Sequence, residues 1–347
     1  MQVRSLQIDE HERLLELLDG WKLPDGWRGR DFFRRYLDLD PTFHRENVVV
    51  VEEAGELIAC VQIFPRRLRL QGHSVPCGGI GSVFTRADRR RAGRASALLE
   101  RAAALMVERG MELSLLFSDR TSFYEKLGWK SWRCQRALVR PIDSDNAHTP
   151  RLSEEFERSP FDGASDFEAV EAIHSAYSLS RSGTLVRERS LWEASFRLAG
   201  NPDEEFRVAR RDGELLAYLR ATRLNEVLMV TELGRLDQGA AALAALLVDL
   251  LQPRYDDPLA TRDKPSSELR TFAVLPAFDD LPLSVELENR GVSSRSVDDR
   301  SCMLRCLKAP ALAERLEVSL LPGEEGEAFL QRMLPQGSLV SWPADRF

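Results

Sequence analysis

The chain has 347 residues, 43% of them apolar and 30% charged, with a net charge of −7. At about one domain per 150 residues this is two domains with ample core material, which excludes disorder, collagen and coiled coil for the chain as a whole; the acidic balance speaks against a nucleic-acid or membrane-surface protein. The charge is uneven, a net +5 over residues 1–140 and a net −12 over residues 141–347.

In chain order, the alternation of Val3–Ile8 predicts a short strand, with Asp9 as cap of a helix Glu10–Leu18. A Gly/Pro/Trp segment, Gly20–Gly29, leads to a second helix, Asp31–Leu39. Val48–Glu52 and Leu57–Phe64 read as strands joined at Ala54-Gly55, with Arg66–Leu70 continuing the second. Cys77–Thr85 is a further strand. An arginine/glycine loop, Arg86–Arg94, opens a helix, Ala95–Arg109, with its apolar face on Leu98, Leu99, Ala102, Leu105 and Met106 and Gly110 as its stop. Leu113–Phe117 reads as a strand, Thr121–Leu127 as a short helix and Arg133–Arg140 as the last strand of a first unit, residues 1–140.

A polar linker, 141–160, separates this unit from a second, 161–307, in which the same order recurs. Asp166–Tyr177 and Glu188–Leu198 read as helices. Phe206–Arg210 and Leu215–Thr222 read as strands joined at Asp212-Gly213. Val227–Leu233 is a strand, Ala240–Leu251 a helix and Pro253–Ser267 a charged loop. Arg270–Leu275, Ser284–Asn289 and Ser301–Leu307 repeat the strand, helix, strand ending. The expected fold class is α/β with mixed sheets, one architecture used twice. The remainder, 308–347, is a short extension with one strand and one helix.

Five cysteines, Cys60, Cys77, Cys134, Cys302 and Cys306, have no CxxC spacing and no histidine at ligand spacing, so no disulfide framework and no metal site is expected. The five histidines are scattered and read as structural or surface residues. The N-terminus lacks a signal-peptide core, and Ala240–Leu251 is too short to span a bilayer and contains Asp249. A cytoplasmic setting is expected.

The chemistry is carried by Ser82-Val-Phe-Thr-Arg-Ala-Asp-Arg-Arg-Arg-Ala-Gly-Arg-Ala-Ser96. A strand enters a loop, and the loop enters a helix N-terminus, where backbone amides and the helix dipole favour an anion. Arg89, Arg90, Arg91 and Arg94 add charge, and Gly93 lets the backbone come close to a ligand. The pattern describes a diphosphate cradle; a solvated basic helix start is the bland alternative. No GK[ST] follows a glycine-rich run and no GxGxxG is present, which excludes a Walker loop and a dinucleotide fingerprint.

Arg90-x-x-Gly93-x-Ala95 resembles the Q/R-x-x-G-x-G/A acetyl-CoA loop of the GNAT acetyltransferases. Ser122-Phe-Tyr-Glu-Lys-Leu-Gly-Trp129 is similar to that family's later FYxxLGF segment. The tandem order resembles the Eis-type branch, as does Met303–Leu312 at the passage into a third region, which here is cut to about 40 residues. The resemblance implies acetyl-CoA as acyl donor, held by Arg90, Arg91, Gly93, Arg94, Ala95 and Ser118. It implies a backbone amide of Val83, Phe84 or Thr85 on the thioester carbonyl, and Tyr124 as general acid. It further implies the terminal carboxylate of Phe347 as base, for which a frayed terminus is the equal alternative; Asp119, Glu125 or a water chain are fallback bases. Asp25 and Trp27 occupy the stretch where the family lines its acceptor site; a turn with a packed tryptophan explains them equally.

The second unit lacks both halves of this chemistry. Its loop, Gly234–Gly239, has one arginine and Asp237, and Leu287 stands where Tyr124 stands in the first. The resulting expectation is an N-acetyltransferase acting on a primary amine, a small molecule, an aminoglycoside-like amine or a protein lysine, with neither nucleic acid nor membrane as partner and a homo-oligomer as one assembly. The alternatives are a non-catalytic acyl-CoA-binding module and a transferase of longer acyl chains.

Overall fold

The computed structural model describes residues 2–23, 27–141, 155–198, 204–224, 227–252, 272–276 and 279–345. In the first part the elements are β1 (Gln2–Ser5), α1 (His11–Leu18), α2 (Gly29–Leu39), β2 (Val48–Glu53), β3 (Glu56–Leu70), β4 (His73–Thr85), α3 (Arg94–Glu108), β5 (Leu113–Phe117), α4 (Thr121–Glu125), β6 (Lys130–Ser131) and β7 (Cys134–Pro141). Then come β8 (Glu157–Pro160), α5 (Phe167–Leu179), α6 (Arg189–Leu198), β9 (Glu204–Arg211), β10 (Glu214–Leu224), β11 (Val227–Arg235), α7 (Ala240–Leu251), β12 (Phe272–Leu275), α8 (Leu281–Asn289), β13 (Val292–Asp299) and β14 (Cys302–Cys306). The extension holds α9 (Ala309–Arg315) and α10 (Gly326–Met333).

These form two seven-stranded mixed sheets flanked by helices, with strand orders β1-β2-β3-β4-β5-β14-β6 and β13-β7-β12-β11-β10-β9-β8. Each contains one parallel step, β4–β5 and β11–β12, bridged by an apolar helix, α3 and α7. Val49, Val51, Leu98, Leu99, Ala102 and Met106 supply the core between the first sheet and α3. α7 is apolar on nearly every side and buried at Ala242, Leu243, Ala244, Leu246, Leu247 and Val248, so it fills the middle of the second unit.

Several expectations are corrected. The strand expected to close the first unit, β7, pairs in the second sheet with β12 and β13, while β14 of the second unit lies between β5 and β6 of the first. The two units therefore exchange their final strands. β13 is a strand where none is expected: its sequence VSSRSVDD lacks an apolar alternation because it is an edge strand. The end of the expected linker, Glu157–Pro160, is an edge strand on β9. The extension folds as two helices in place of one strand and one helix. At α1, Glu10 occupies the N-cap position in place of Asp9, and its carboxylate receives both Arg4 Nη1 (2.6 Å) and Arg4 Nη2 (2.7 Å).

The exchange makes one continuous ribbon. Lys130 and Ser131 oppose Leu304 and Met303, and Cys134 and Gln135 oppose Asp299 and Asp298, so the register slips by one residue where the ribbon passes from one sheet to the other. Leu312, Leu316, Phe329, Leu330 and Leu334 of the extension then pack beneath this crossing against Leu113, Trp132 and Leu304. The β3–β4 hairpin reaches out of the first sheet, and Arg69 N–H donates to Thr184 O (2.7 Å) while Val186 N–H donates to Arg67 O (2.8 Å).

The chain's last described residues are seated in the second unit. Trp342 is fully buried, stacked on Tyr177 at 6.2 Å, with its Nε1–H on Ser178 Oγ (3.3 Å). Asp345 Oδ1 accepts from Arg187 Nε (2.6 Å), and the same guanidinium pairs with Glu232, whose other oxygen accepts from Tyr218 Oη (2.9 Å). All five cysteines are free thiols. Among the described residues, no group of His, Cys, Asp or Glu is arranged to hold a metal, and no helix is long and apolar enough to cross a membrane.

Candidate active site

β4 and β5 are hydrogen-bonded neighbours only where Cys77, Gly78 and Gly79 oppose Leu113, Ser114 and Leu115. Beyond that point β4 stays with β3 and β5 stays with β14, so the sheet opens as a wedge between Ile80–Thr85 and Leu116–Phe117. Gly78 starts this region with α3 pressed on it: a Cβ there would lie 2.0 Å from Met106 Sδ. A bulge follows. Gly81 opposes Gln62 and Phe84 opposes Cys60, so Ser82 and Val83 share one partner, Val61, and Ser82 takes a left-handed φ of 50°. A bulge bends the strand and re-aims its peptide groups. Among the described residues, no strand pairs with Ile80–Thr85 on the wedge side, which leaves backbone donors there for a ligand.

The side chains on this strand divide. Val83 packs in the α3 cluster together with Tyr124. Phe84 is buried on the α1/α2 side, stacked on Trp21 at 5.7 Å, so only its backbone can serve the wedge.

Past Thr85 the chain makes a short 3-10 turn, Ala87–Arg89, and enters α3 through Arg90–Gly93. Arg91 (φ 64°) and Gly93 (φ 72°) are both left-handed, which turns successive amides toward one side as in an anion nest. A Cβ on Gly93 would meet nothing within 4 Å, so the backbone borders open space. The first-turn amides of α3 have no intrahelical acceptor. Arg90 is exposed, with Nε on Thr85 O (3.1 Å), and Arg91 is exposed with no side-chain partner among the described residues. Arg94 departs from expectation. Its guanidinium is held by Glu53 (2.8 Å) and Arg89 O (2.8 Å), so its charge is neutralised within the fold and only its backbone faces the loop. Ala95 lies in the first turn of α3.

Tyr124 stands on α4, the helix that follows β5, and packs on the same core cluster as Val83. It is largely buried against Phe123 (ring centroids 5.0 Å, edge-on) and its carbonyl accepts from Leu127 N (2.9 Å) and Trp129 N (3.2 Å), so the YEKLGW turn folds back around it. Burial pushes the phenol pKa above its usual 10, opposed by Arg120 and the Ser118 side chain and assisted by Asp119. Ser118 itself is fixed at the end of β5 by its N–H on Ser301 O (2.8 Å). Asp119 and Glu125 are exposed.

On the acceptor side, Trp27 is 41% exposed and Arg35 lies over its ring at 5.4 Å, so a cationic amine would compete with an internal cation for that face. Arg35 also donates to Arg197 O and Leu198 O (both 2.8 Å), which ties α2 to α6 of the second unit. Trp21, missed by sequence reasoning, is the tryptophan that packs on the site, through Phe84 and Phe33. Asp25 and Phe347 lie outside the described residues.

The equivalent place in the second unit is closed. A Cβ on Gly239 would lie 2.3 Å from Leu216 O, so this loop rests directly on β10. Arg235 is locked on Asp280 (2.7 Å) and on the carbonyls of Leu236 and Asp237 (both 3.0 Å). Leu287, in the place of Tyr124, is a core residue.

Residues 2–131 match the family model described as acetyltransferase (GNAT) domain. No curated protein sequence matches the chain. Among solved structures, a GCN5-related N-acetyltransferase from Kribbella flavida is similar at 20% identity and a TM-score of 0.64, over 89% of this chain and 72% of that one. Eis1 from Mycobacterium abscessus is similar at 18% identity and a TM-score of 0.61, over 91% and 76%. Saccharomyces cerevisiae N-myristoyltransferase with bound myristoyl-CoA shares the fold at 12% identity and a TM-score of 0.52, over 88% and 78%. The chain has a tandem GNAT fold, and its residues 2–131 match a GNAT acetyltransferase domain.

Proposed function

We propose that the chain transfers an acetyl group to a primary amine by direct attack in a ternary complex. The observation that carries this reading is the wedge at Ile80–Thr85, flanked by an anion loop on one side and by a tyrosine held in its protonated form on the other. Acetyl-CoA, the donor used by this family, supplies the thioester.

The left-handed turn at Arg91–Gly93, the first-turn amides through Ala95, and the Arg90 and Arg91 side chains hold a diphosphate. An amide of Val83, Phe84 or Thr85 donates to the carbonyl oxygen, where negative charge grows during attack. The amine nitrogen forms the C–N bond as the C–S bond breaks. Tyr124 Oη gives its proton to the departing sulfur, and a carboxylate takes the proton that the amine releases. The terminal carboxylate of Phe347 has that role in this reading. Asp345 is tied to Arg187 and Trp342 is buried, so the described segment that leads toward Phe347 is held in place. Asp25 and Trp27 are the acceptor-binding residues in this reading. The second unit covers α2 through α6 and does no chemistry of its own.

A panel of amines tests this: aminoglycosides, small diamines and lysine peptides, with free CoA measured by its thiol. At least one primary-amine class is expected to release CoA well above the hydrolysis background, and deletion of Phe347 to lower that rate. Acetyl-CoA binding with no acceleration by any amine would replace the enzyme reading with that of an acyl-CoA-binding module.

A further inference from the structure

Where the ribbon β6–β7/β13–β14 slips by one residue between the sheets, it leaves a pocket of about 290 Å³ lined by Ser131, Arg133, Arg300 and Gln336. Four separate passes of the chain meet there: the end of β6, the step into β7, the step between β13 and β14, and the extension after α10. We propose that this pocket binds a phosphate group.

Its free polar groups are donors. Gln336 Oε1 accepts from Arg133 N–H (2.6 Å), which leaves the amide NH₂ of Gln336 as its unused end. Arg133 Nε is buried and has no hydrogen-bond partner, and the nearest carboxylate to that guanidinium, Asp298, is 3.8 Å from Nη1. Arg300 is exposed, and among the described residues no carboxylate pairs with it. Ser131 Oγ is committed as donor to Arg300 O (2.8 Å), which fixes the backbone beneath that guanidinium. Arg133 Nη2 donates to Gln336 O (3.4 Å), which holds this guanidinium at the pocket. Two guanidinium groups lining one small polar cavity, one of them with an orphaned buried Nε–H, suit a dianion with several acceptor oxygens. One residue beyond Arg300, Ser301 O receives Ser118 N–H (2.8 Å), so the pocket sits beside the end of β5. The phosphate is therefore either free in solution or part of CoA.

Calorimetry with inorganic phosphate tests the pocket on the full chain carrying Arg90→Gln and Arg91→Gln, so that the loop before α3 offers no competing site. Arg300→Gln or Arg133→Gln is expected to raise the phosphate Kd about tenfold or more. Arg300 is on the surface, so its replacement leaves the fold intact, and Arg133→Lys should recover part of the affinity. In the otherwise native chain, CoA and dephospho-CoA separate the two sources. If Arg300→Gln weakens CoA and leaves dephospho-CoA unchanged, the phosphate is the cofactor's own; if neither changes while phosphate binding falls, it is a separate anion. Equal phosphate and CoA affinities with and without Arg133 and Arg300 would overturn the proposal.

Discussion

Tyr124→Phe is expected to lower kcat by about 10²-fold or more while leaving the acetyl-CoA Kd within about twofold. The ring and its packing on Phe123 and the α3 cluster are kept, and only the hydroxyl is removed. Burial holds the phenol protonated above its usual pKa of 10, so at neutral pH almost every molecule carries the acid in its active form. The sign of the shift sets the pH profile. A raised pKa keeps the acid competent into the alkaline range, so the rate should not fall through loss of this proton below pH about 10. Steady-state kinetics of both forms between pH 6 and 10 give the measurement. A Phe variant with native kcat would remove Tyr124 from the chemistry.

Arg187→Met is expected to destabilise the chain by about 3–5 kcal/mol, because it leaves Glu232 and Asp345 buried without their shared cation. For a chain of this size the melting temperature should fall by about 4–7 °C. Arg187 is 2% exposed at its side chain and Glu232 is fully buried, so solvent cannot replace the lost partner. The pH dependence should reverse as well. In the native chain Glu232 is held at a pKa of about 2: burial alone would raise it, and the Arg187 charge outweighs that. A depressed carboxylate adds stability above its unfolded pKa and loses it as the pH falls toward 2. In the variant, burial prevails, and protonation on acidification relieves the two carboxylates. Melting curves at pH 5 and 7.5 should therefore show a smaller deficit for the variant at the lower pH. An unchanged melting temperature would mean that this cluster does not hold the C-terminal segment.

The cradle is legible in the sequence because its parts are local. A strand, an arginine run, a glycine and a helix start lie within fifteen residues, and each has a sequence signature that survives without its tertiary context. The turn around Tyr124 is legible in its own segment, and the closed loop and core leucine of the second unit show as Gly234–Gly239 and Leu287. What escapes is non-local. β7 and β14 both read as ordinary buried strands, and nothing in either tells which of two similar sheets it completes; pairing across 163 residues, as between Arg136 and Asp299, decides it. β13 is hidden because an edge strand needs no apolar alternation. Arg94 looks like a phosphate ligand because counting charge in the loop cannot reveal Glu53, 41 residues earlier, waiting on β2. Trp27 and Trp21 stand in the same segment, and only the packing shows that Trp21 takes the place against Phe84.

The proposed reaction needs one cradle for the acyl donor, in the first unit. Calorimetric titration with acetyl-CoA counts the sites. One molecule per chain is expected, with binding lost in Gly93→Trp, where an indole would fill the open space beside the loop, and in Arg90→Glu/Arg91→Glu, while Asp237→Ala in the second unit changes nothing. Binding that persists in both first-unit variants, or a second equivalent that Asp237→Ala strengthens, would contradict it.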